Sequence, residues 1–209
     1  MSKLILLRHG QSEWNKLNQF TGWKDVNLSQ EGMIEAKLAA FAIQNLELDI
    51  HFGFTSNLIR AQKTLEIILK ILKLENIKVE KNIALNERDY GKLTGLNKDE
   101  ARKKWGEEQV KIWRRSYNVA PEDGESLKDT YERAVPYFET NIVPELKKEH
   151  NVIISAHGNS LRSIIMNLEE LNEKEIIDVE IATGTPIVYE LDNNCKIIKK
   201  TELLTKRFC

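Results

Sequence analysis

Two histidine–glycine pairs each follow a short apolar run in the sequence. The run 3–8 leads into His9-Gly10, and the run 151–156 leads into His157-Gly158. A neutral imidazole nitrogen is a competent nucleophile toward phosphorus, and glycine lets the backbone approach a bound group closely. One such pair alone is more often an ordinary turn. Two pairs, each at the end of a predicted strand, favour a shared site for phosphoryl transfer.

Arginine and glutamate residues near these positions can support such a transfer. Arg8 precedes His9, and Arg60 lies just after another predicted strand, on the first turns of its helix. The planar guanidinium group binds two phosphoryl oxygens at once and neutralises their charge. Glu87 is the candidate general acid and base. Taken singly, Arg60 is also consistent with a solvated helix residue, and Glu87 with a loop ion pair to Arg88.

A metal centre is the weaker interpretation of the same residues. His9, His157 and Glu87 do not lie at the ligand spacings that a helix or a hairpin provides, so the sequence predicts no metal site. The other two histidines, His51 and His150, lie at the edges of predicted elements. They are interpreted as ordinary surface or edge residues.

Strand and helix patterns alternate along the chain and predict where these residues lie. Strands are short apolar or alternating runs, and helices carry apolar residues three and four positions apart, with Ser29, Asn97 and Ser126 as N-caps. The predicted strands are 3–8, 51–55, 77–80, 151–156, 185–191 and 196–203. The predicted helices are 29–46, 58–74, one beginning at Asn97, 126–150 and 161–168.

This order of elements predicts an α/β fold, a three-layer sandwich in which helices flank a mostly parallel central sheet. No repeat, linker or low-complexity segment interrupts the order, so residues 1–209 are predicted to form a single catalytic domain. In such sheets, ligands bind outside the carboxyl ends of the strands. Both histidine–glycine pairs are therefore expected to face one pocket.

Composition narrows the possible functions. Lysine and arginine together number 31 against 32 for aspartate and glutamate, so no overall basic field favours nucleic-acid binding. The longest early apolar run, Leu4–Leu7, is far too short for a signal peptide or a membrane span. Cys195 and Cys209 are too few for a disulfide framework and favour a reducing compartment. We expect a cytoplasmic protein that binds neither nucleic acid nor membranes.

Five longer motifs follow one another along the chain. They are Leu-Arg-His-Gly-Gln-Ser-Glu-Trp-Asn at 7–15, Phe-Thr-Gly-Trp at 20–23, Asn-Glu-Arg-Asp-Tyr-Gly-Lys-Leu-Thr-Gly-Leu-Asn-Lys at 86–98, Trp-Arg-Arg at 113–115 and Ala-His-Gly-Asn-Ser-Leu-Arg at 156–162. From Leu4 to about Leu191, the chain thereby resembles the cofactor-dependent phosphoglycerate mutases of the histidine phosphatase superfamily. Arg-His-Gly alone indicates only the superfamily, which contains many phosphatases. Gly-Leu-Asn-Lys and Trp-Arg-Arg make the resemblance to the mutases specific.

The resemblance implies a phosphoglycerate mutase-like fold and a role for each matching residue. His9 becomes the phosphohistidine, and Glu87 donates and accepts the proton. Arg8, Arg60 and His157 bind the transferring phosphoryl group, and these three, His9 and Glu87 form the catalytic set. The implied substrate-binding set contains Arg8, Arg60 and Glu87 together with Gly10, Gln11, Ser12, Asn15, Thr21, Gly22, Tyr90, Lys98, Arg114, Arg115, Gly158 and Asn159.

The implied activity is the interconversion of 3-phosphoglycerate and 2-phosphoglycerate in glycolysis and gluconeogenesis. In such enzymes 2,3-bisphosphoglycerate is primer and intermediate, no metal is required, and the partners are small phosphoglycerates. Because these compounds carry a carboxylate as well as phosphate, they suit the additional cations Lys98, Arg114 and Arg115. The oligomeric state stays open between monomer, homodimer and homotetramer.

Two other functions remain as alternatives. A phosphohistidine-dependent phosphatase of small phosphate esters or bisphosphoglycerate uses the same nucleophile with water as acceptor. The brief segment 118–125, where longer family members carry an extra one, gives this alternative some weight because shielding from water separates the two activities. A non-catalytic phospholigand-binding module is expected only where the histidine or its partners are missing, and all of them are present here.

Overall fold

The computed structural model describes residues 1–205, and in this part of the chain strands and helices alternate. The strands are β1 (Ser2–Arg8), β2 (Phe52–Thr55), β3 (Lys78–Lys81), β4 (Val152–Ala156), β5 (Pro186–Leu191) and β6 (Ile197–Glu202). The helices are α1 (Glu13–Lys16), α2 (Gln30–Gln44), α3 (Ile59–Leu72), α4 (Lys98–Trp105), α5 (Glu107–Arg115), α6 (Leu127–Tyr137), α7 (Val143–Lys147), α8 (Gly158–Leu168) and α9 (Glu175–Asp178). Cys209, which contributed to the inference about compartment, lies outside the described residues.

The strands join one sheet in the order β3-β2-β4-β1-β5-β6. The first four strands of the chain pair in parallel, whereas β5 and β6 are antiparallel additions at one side. Helices pack on both faces of this sheet. The predicted three-layer α/β sandwich with a mostly parallel sheet is confirmed. Within residues 1–205, no helix has the length and apolar character needed to cross a membrane.

The central strands are apolar on both faces because helices cover both sides of the sheet. In β1, Leu4 and Leu6 belong to the apolar cluster that includes residues of α6 and α8, whereas Ile5 and Leu7 belong to the cluster with α2 and α3. Every residue of β4 is buried. This two-sided burial explains why the sequence shows continuous apolar runs instead of alternation.

Pairing of β1 with β4 brings the two histidine–glycine pairs together. Arg8 lies beside Ala156 in the strand register, and the backbone amide of His9 donates to the carbonyl of Ala156 at 3.0 Å. His9 and His157 therefore leave adjacent strands at the same point of the carboxyl edge, as predicted.

The other two histidines lie at the opposite edge of the sheet, where β2 and β4 begin. The rings of His51 and His150 stack there with their centroids 4.9 Å apart. Nδ1 of His150 also contacts the Glu145 carboxylate at 2.9 Å. They are edge residues, as expected, and each is the other's partner.

One predicted helix is interrupted. The segment 126–150 forms α6, then a π-helical turn over Phe138–Ile142, and then α7. Pro144 has no amide hydrogen to donate, so the regular ladder of α-helical hydrogen bonds cannot continue through this point. The capping prediction at the start of α6 is confirmed, because Ser126 and Asp129 bond each other's backbone amides.

The helix after the second histidine–glycine pair begins earlier than predicted. It starts at Gly158, and the amide of His157 donates to Ser160 Oγ at 3.2 Å. The prediction of a start at Leu161 was wrong because glycine and asparagine near a turn were assigned to the loop. As a result, the amides of Gly158 and Asn159 lie at a helix N-terminus, which favours anions.

The turn after β1 packs against α2 at two glycines. A Cβ atom on Gly10 would lie 2.2 Å from the Gly32 carbonyl oxygen, and one on Gly32 would lie 2.0 Å from the Gln11 carbonyl oxygen. Ser29 reinforces the contact, since its amide donates to the Gln11 carbonyl at 2.9 Å. The position of His9 thus depends on a close approach of two backbone segments.

Gly32→Ala is expected to destabilise the protein although alanine is the better helix former. Helix propensity favours alanine by roughly 1 kcal/mol, whereas overpacking costs about 1 to 3 kcal/mol and this clash is with a backbone carbonyl. We expect the free energy of unfolding in urea to fall by about 1 to 2 kcal/mol. Gly158→Ala is the control, because its Cβ would meet side-chain atoms at an ordinary 3.7 Å. Equal stability of the two variants would contradict the prediction.

Candidate active site

His9 lies in the wall of a cavity of about 260 Å³ at the carboxyl edge of the sheet. Its ring faces that of His157, with centroids 4.9 Å apart and an interplanar angle of 62°. The two side chains are 3% and 0% exposed, so bulk water reaches neither freely. The strand pairing of β1 with β4 fixes this arrangement.

Hydrogen bonding determines which nitrogen of His9 can attack. Nδ1 lies 2.6 Å from the carbonyl oxygen of Gly10, which can only accept, so Nδ1 carries the hydrogen and Nε2 the lone pair. Burial, followed by the charges of Arg60 and Arg8, lowers the pKa of His9 well below its ordinary value. The pKa of His157 is lowered in the same way, again mainly by burial. Both rings are therefore neutral at neutral pH.

Two arginines flank the histidines, the buried Arg60 and the half-buried Arg8, and backbone carbonyl groups hold both. Arg60 is 1% exposed and donates to the carbonyls of Lys24 at 3.0 Å and Gly22 at 2.8 Å. Arg8 donates to the carbonyl of Ile181 at 2.8 Å. Burial lowers the pKa of Arg60 to about 10, so its charge persists at neutral pH. These carbonyl partners are neutral and leave the positive charges free to act on an anion.

Three N–H groups fix the carboxylate of Glu87. Oε1 accepts from the amide of Arg88 at 2.7 Å, from the amide of Asn159 at 3.1 Å and from the Asn159 side chain at 2.9 Å. The carbonyl of Glu87 accepts from Trp23 Nε1 at 2.6 Å and from Arg133 at 2.9 Å. Oε2 is left as the oxygen that can exchange a proton with a ligand.

The side chain of Arg88 supports the cavity wall instead of pairing with Glu87. It is fully buried, donates to the Tyr90 hydroxyl at 3.2 Å and to the Arg114 carbonyl at 3.0 Å, and lies 4.8 Å from the centre of the Tyr90 ring. Burial acts to raise the pKa of Tyr90, but the charge and hydrogen bond of Arg88 together with the charge of Arg114 outweigh it, and the pKa is lowered. Arg88 thus links Tyr90 to the end of α5.

A second group of cations lines the cavity from an arm formed by α4 and α5, residues 98–115. Lys98 is the first residue of α4, and Arg114 and Arg115 are the last two of α5. Lys98 and Arg114 are half-buried, and burial lowers the pKa of each. Arg115 forms an ion pair with Glu180. The arm packs through a small apolar cluster formed by Phe20, Leu93, Ala101 and Val110.

Most of the predicted site residues meet at this one cavity. Besides His9, Glu87 and the cations, the predicted residues in its lining are Asn15, Thr21, Gly22, Tyr90, Gly158 and Asn159. His157 lies directly behind His9 and is fully buried.

Three predicted residues support the turn behind the cavity lining. The Gly10 amide donates to Thr64 Oγ1 at 3.1 Å, Gln11 Oε1 accepts from the Ser29 hydroxyl at 2.9 Å, and Ser12 Oγ accepts from the Asn15 amide at 3.1 Å as the N-cap of α1. Contact of Gly10, Gln11 or Ser12 with substrate stays a prediction.

Sequence reasoning missed part of the lining. The residues not singled out are Gln19, Phe20, Arg162, Val179, Glu180 and Ile181. Arg162 ends the motif at 156–162, and its place three residues after Asn159 on a helix was a usable signal. Ser56 was missed as well; its Oγ lies 2.7 Å from Nε2 of His157. Val179 and Ile181 carry no chemical signal, since Ile181 contributes its backbone carbonyl to Arg8, whereas Glu180 contributes its carboxylate to the ion pair with Arg115.

Buried donors around the cavity suit an anionic ligand. Within residues 1–205, Arg8 Nε, Arg162 Nε, His157 Nδ1 and Thr21 Oγ1 have no hydrogen-bond partner. Buried polar groups are normally paired, so a ligand rich in acceptor oxygens fits this place. In the same described part of the chain, no cluster of three or more histidine, cysteine, aspartate or glutamate side chains is arranged to hold a metal ion.

Comparison with known proteins agrees with this geometry. A profile of the histidine phosphatase superfamily, branch 1, matches residues 4–203. The chain belongs to this superfamily. It is 54% identical over 204 residues to the 2,3-bisphosphoglycerate-dependent phosphoglycerate mutase of Parvibaculum lavamentivorans, covering 98% of this chain and 97% of the relative. It is 56% identical over 197 residues to the phosphoglycerate mutase of Schizosaccharomyces pombe, covering 94% and 93%.

Solved structures with much lower sequence identity share the fold of this superfamily member. The alpha-ribazole phosphatase from Shigella flexneri aligns with a TM-score of 0.80 at 18% identity and covers 98% of this chain and 96% of its own. Mycobacterial hydrolase 1 aligns with a TM-score of 0.80 at 20% identity and covers 97% and 96%. At such identities the comparison establishes the three-layer architecture alone.

The neutral histidines predict a loss of stability in mild acid. His9 and His157 have lowered pKa values when folded, whereas in the unfolded chain they titrate near pH 6.5. Below about pH 6.5 the unfolded state therefore binds more protons, so the free energy of unfolding decreases as pH falls. From pH 6.5 to 5.5 we expect these two residues to contribute a loss of about 1 to 2 kcal/mol.

Urea denaturation in a buffer without phosphate or sulfate measures this loss. The double variant His9→Gln/His157→Gln is the control and should show a shallower dependence on pH over the same range. Parallel pH profiles for the two proteins would rule out the assigned protonation states.

Proposed function

We propose that this protein is a 2,3-bisphosphoglycerate-dependent phosphoglycerate mutase that interconverts 3-phosphoglycerate and 2-phosphoglycerate. The observation that carries the proposal is the pairing, in one cavity, of the buried nucleophile His9 with two groups of cations. The inner group, Arg8 and Arg60, suits a transferring phosphoryl group. The outer group on the arm, Lys98, Arg114 and Arg115, suits a carboxylate and a second phosphate. The two mutase relatives at 54% and 56% identity support the same conclusion.

The chemistry begins with phospho-His9. The hydroxyl oxygen of 3-phosphoglycerate attacks phosphorus, the bond from phosphorus to Nε2 breaks, and Glu87 accepts the hydroxyl proton. In the second transfer Nε2 attacks the other phosphoryl group, the ester bond from phosphorus to oxygen breaks, and Glu87 returns the proton to the departing oxygen. The product is 2-phosphoglycerate and His9 is phosphorylated again.

Arg8, Arg60 and His157 stabilise the negative charge on the oxygens of the transferring phosphoryl group. Arg60 is buried, Arg8 is half-buried, and neutral carbonyls hold both guanidinium groups, so little reorganisation is needed during the transfer. The Ser56 hydroxyl accepts from the Leu58 amide at 3.1 Å and can donate its own hydrogen to Nε2 of His157. His157 Nδ1 is then a donor for a phosphoryl oxygen.

The proposed cofactor is consistent with the residues that line the cavity. When bound, 2,3-bisphosphoglycerate supplies the phosphoryl group that first charges His9. The inner group and the arm would hold its three anionic groups, and the unpartnered donors Arg8 Nε, His157 Nδ1 and Thr21 Oγ1 among residues 1–205 suit its oxygens. The proposed reaction uses no metal.

The proposed setting is glycolysis and gluconeogenesis in the cytoplasm, with small phosphoglycerates as partners and no nucleic acid or membrane. A monomer, a homodimer and a homotetramer are all compatible with the proposed activity.

A direct assay separates mutase from phosphatase activity. The protein is incubated with 3-phosphoglycerate in EDTA, with and without catalytic 2,3-bisphosphoglycerate, and 2-phosphoglycerate and free phosphate are followed. We expect isomer formation that depends on the primer, with little phosphate. His9→Ala should abolish it, because no other residue is placed as nucleophile. Predominant phosphate release would falsify the mutase proposal, and activity in His9→Ala would refute the nucleophile.

The arm cations are expected to control substrate binding. Lys98→Met and Arg114→Met each remove a charged donor from the lining, and we expect KM for 3-phosphoglycerate to rise about 10- to 100-fold in each variant. Lys103→Met is the matched control, since it removes the same charge from an exposed position on the same helix. Steady-state kinetics should show an unchanged KM for that control. A similar rise in all three variants would mean that only overall charge matters.

A further inference from the structure

Arg162 is a buried cation to which the mechanism above gives no role. It lies on α8, is 5% exposed, and borders the cavity. Its guanidinium group donates to two neutral oxygens, Asn159 Oδ1 at 3.3 Å and the carbonyl of Ile176. Burial, then repulsion from Arg88 and Arg115, lowers the pKa of Arg162 to about 10, so it remains charged at neutral pH.

The contact with Arg162 determines how the side-chain amide of Asn159 is oriented. A guanidinium group has only donors, so it requires the oxygen Oδ1 on its side. The nitrogen Nδ2 then faces Glu87 Oε1 at 2.9 Å, where the carboxylate offers only acceptors when ionised. In the reversed orientation, N–H groups would face the guanidinium group and Oδ1 would face the carboxylate. Rotation of the amide by 180° is therefore opposed by Arg162 on one side and by Glu87 on the other.

This chain of contacts ends at the group that moves the proton. Glu87 Oε1 is occupied by three N–H groups, and one of them is Nδ2 of Asn159. Because these donors occupy Oε1, Oε2 is the oxygen that can accept a proton from the substrate hydroxyl. We infer that Arg162 is a positioning residue for proton transfer, which acts by holding the Asn159 amide so that Glu87 Oε1 stays occupied and Oε2 faces the substrate.

The inference rests on the proposed function, because it concerns the proton step of that reaction. A different role for Arg162 is direct binding of a substrate anion through its unpartnered Nε, and the two roles predict different kinetics. A positioning role alters kcat and its pH dependence and requires Asn159. Direct binding alters KM and does not require Asn159.

The test is a double-mutant cycle with Arg162→Met, Asn159→Ala and the combined variant. For Arg162→Met we expect kcat and its pH profile to change, because the Asn159 amide that donates to the carboxylate is no longer held in place. At neutral pH kcat should fall on the order of tenfold, with KM within about twofold of the parent. In the Asn159→Ala background, Arg162→Met should cause no further fall in kcat.

Arg162→Lys keeps a cationic donor and should restore kcat toward that of the parent protein. If Arg162→Met does not fold, as judged by circular dichroism, the cycle is run with Arg162→Gln, and the fall in kcat that it causes must disappear when Asn159 is alanine. A rise in KM with an unchanged kcat, or equal effects with and without Asn159, overturns the inference. Failure of the parent protein in the mutase assay instead refutes the proposed function.

Discussion

Positive charge that is buried against neutral oxygen atoms is the constraint on which the site depends. Arg8, Arg60, Arg88 and Arg162 all donate to backbone carbonyls, and the described ion pairs of the cavity are confined to its rim at Arg115. Removing a charged group from water costs several kcal/mol unless a counter-charge is supplied. The free protein bears this desolvation cost, and a bound anionic ligand supplies the counter-charge. Burial, together with the charges of Arg60 and Arg8, keeps His9 neutral and nucleophilic.

The position of the site at the carboxyl edge of the sheet could be predicted from two patterns in the sequence. Continuous apolar runs at β1 and β4 indicate strands buried on both faces, and a histidine at the end of each indicates a common site. Arg60 and Glu87 were weak candidates individually and gained weight only in combination. The resemblance in residues 86–98 and 113–115 then supplied the outer cations, which no periodic pattern would have selected.

The parts that could not be predicted depend on tertiary contacts. Arg162 lies inside a regular helix, where its place three residues after Asn159 indicates that contact, but its sequence position does not reveal the carbonyl of Ile176 to which it also donates. Ile181 contributes a backbone carbonyl, so its side-chain type carries no information about its contact with Arg8. Loop packing likewise determines two side-chain hydrogen bonds. They are the bond of Ser29 to Gln11 and the bond of Arg88 to Tyr90.

The arm has its own small apolar cluster, separate from the two clusters that cover the faces of the sheet. The arm and the sheet edge are thus two parts of the cavity with separate packing, and residues 98–115 lie outside the pairing of β1 with β4 that positions His9. The cations of the arm can therefore be exchanged one at a time without altering the strands that carry the nucleophile, which makes the anion selectivity of the cavity and its chemistry separate targets for protein design.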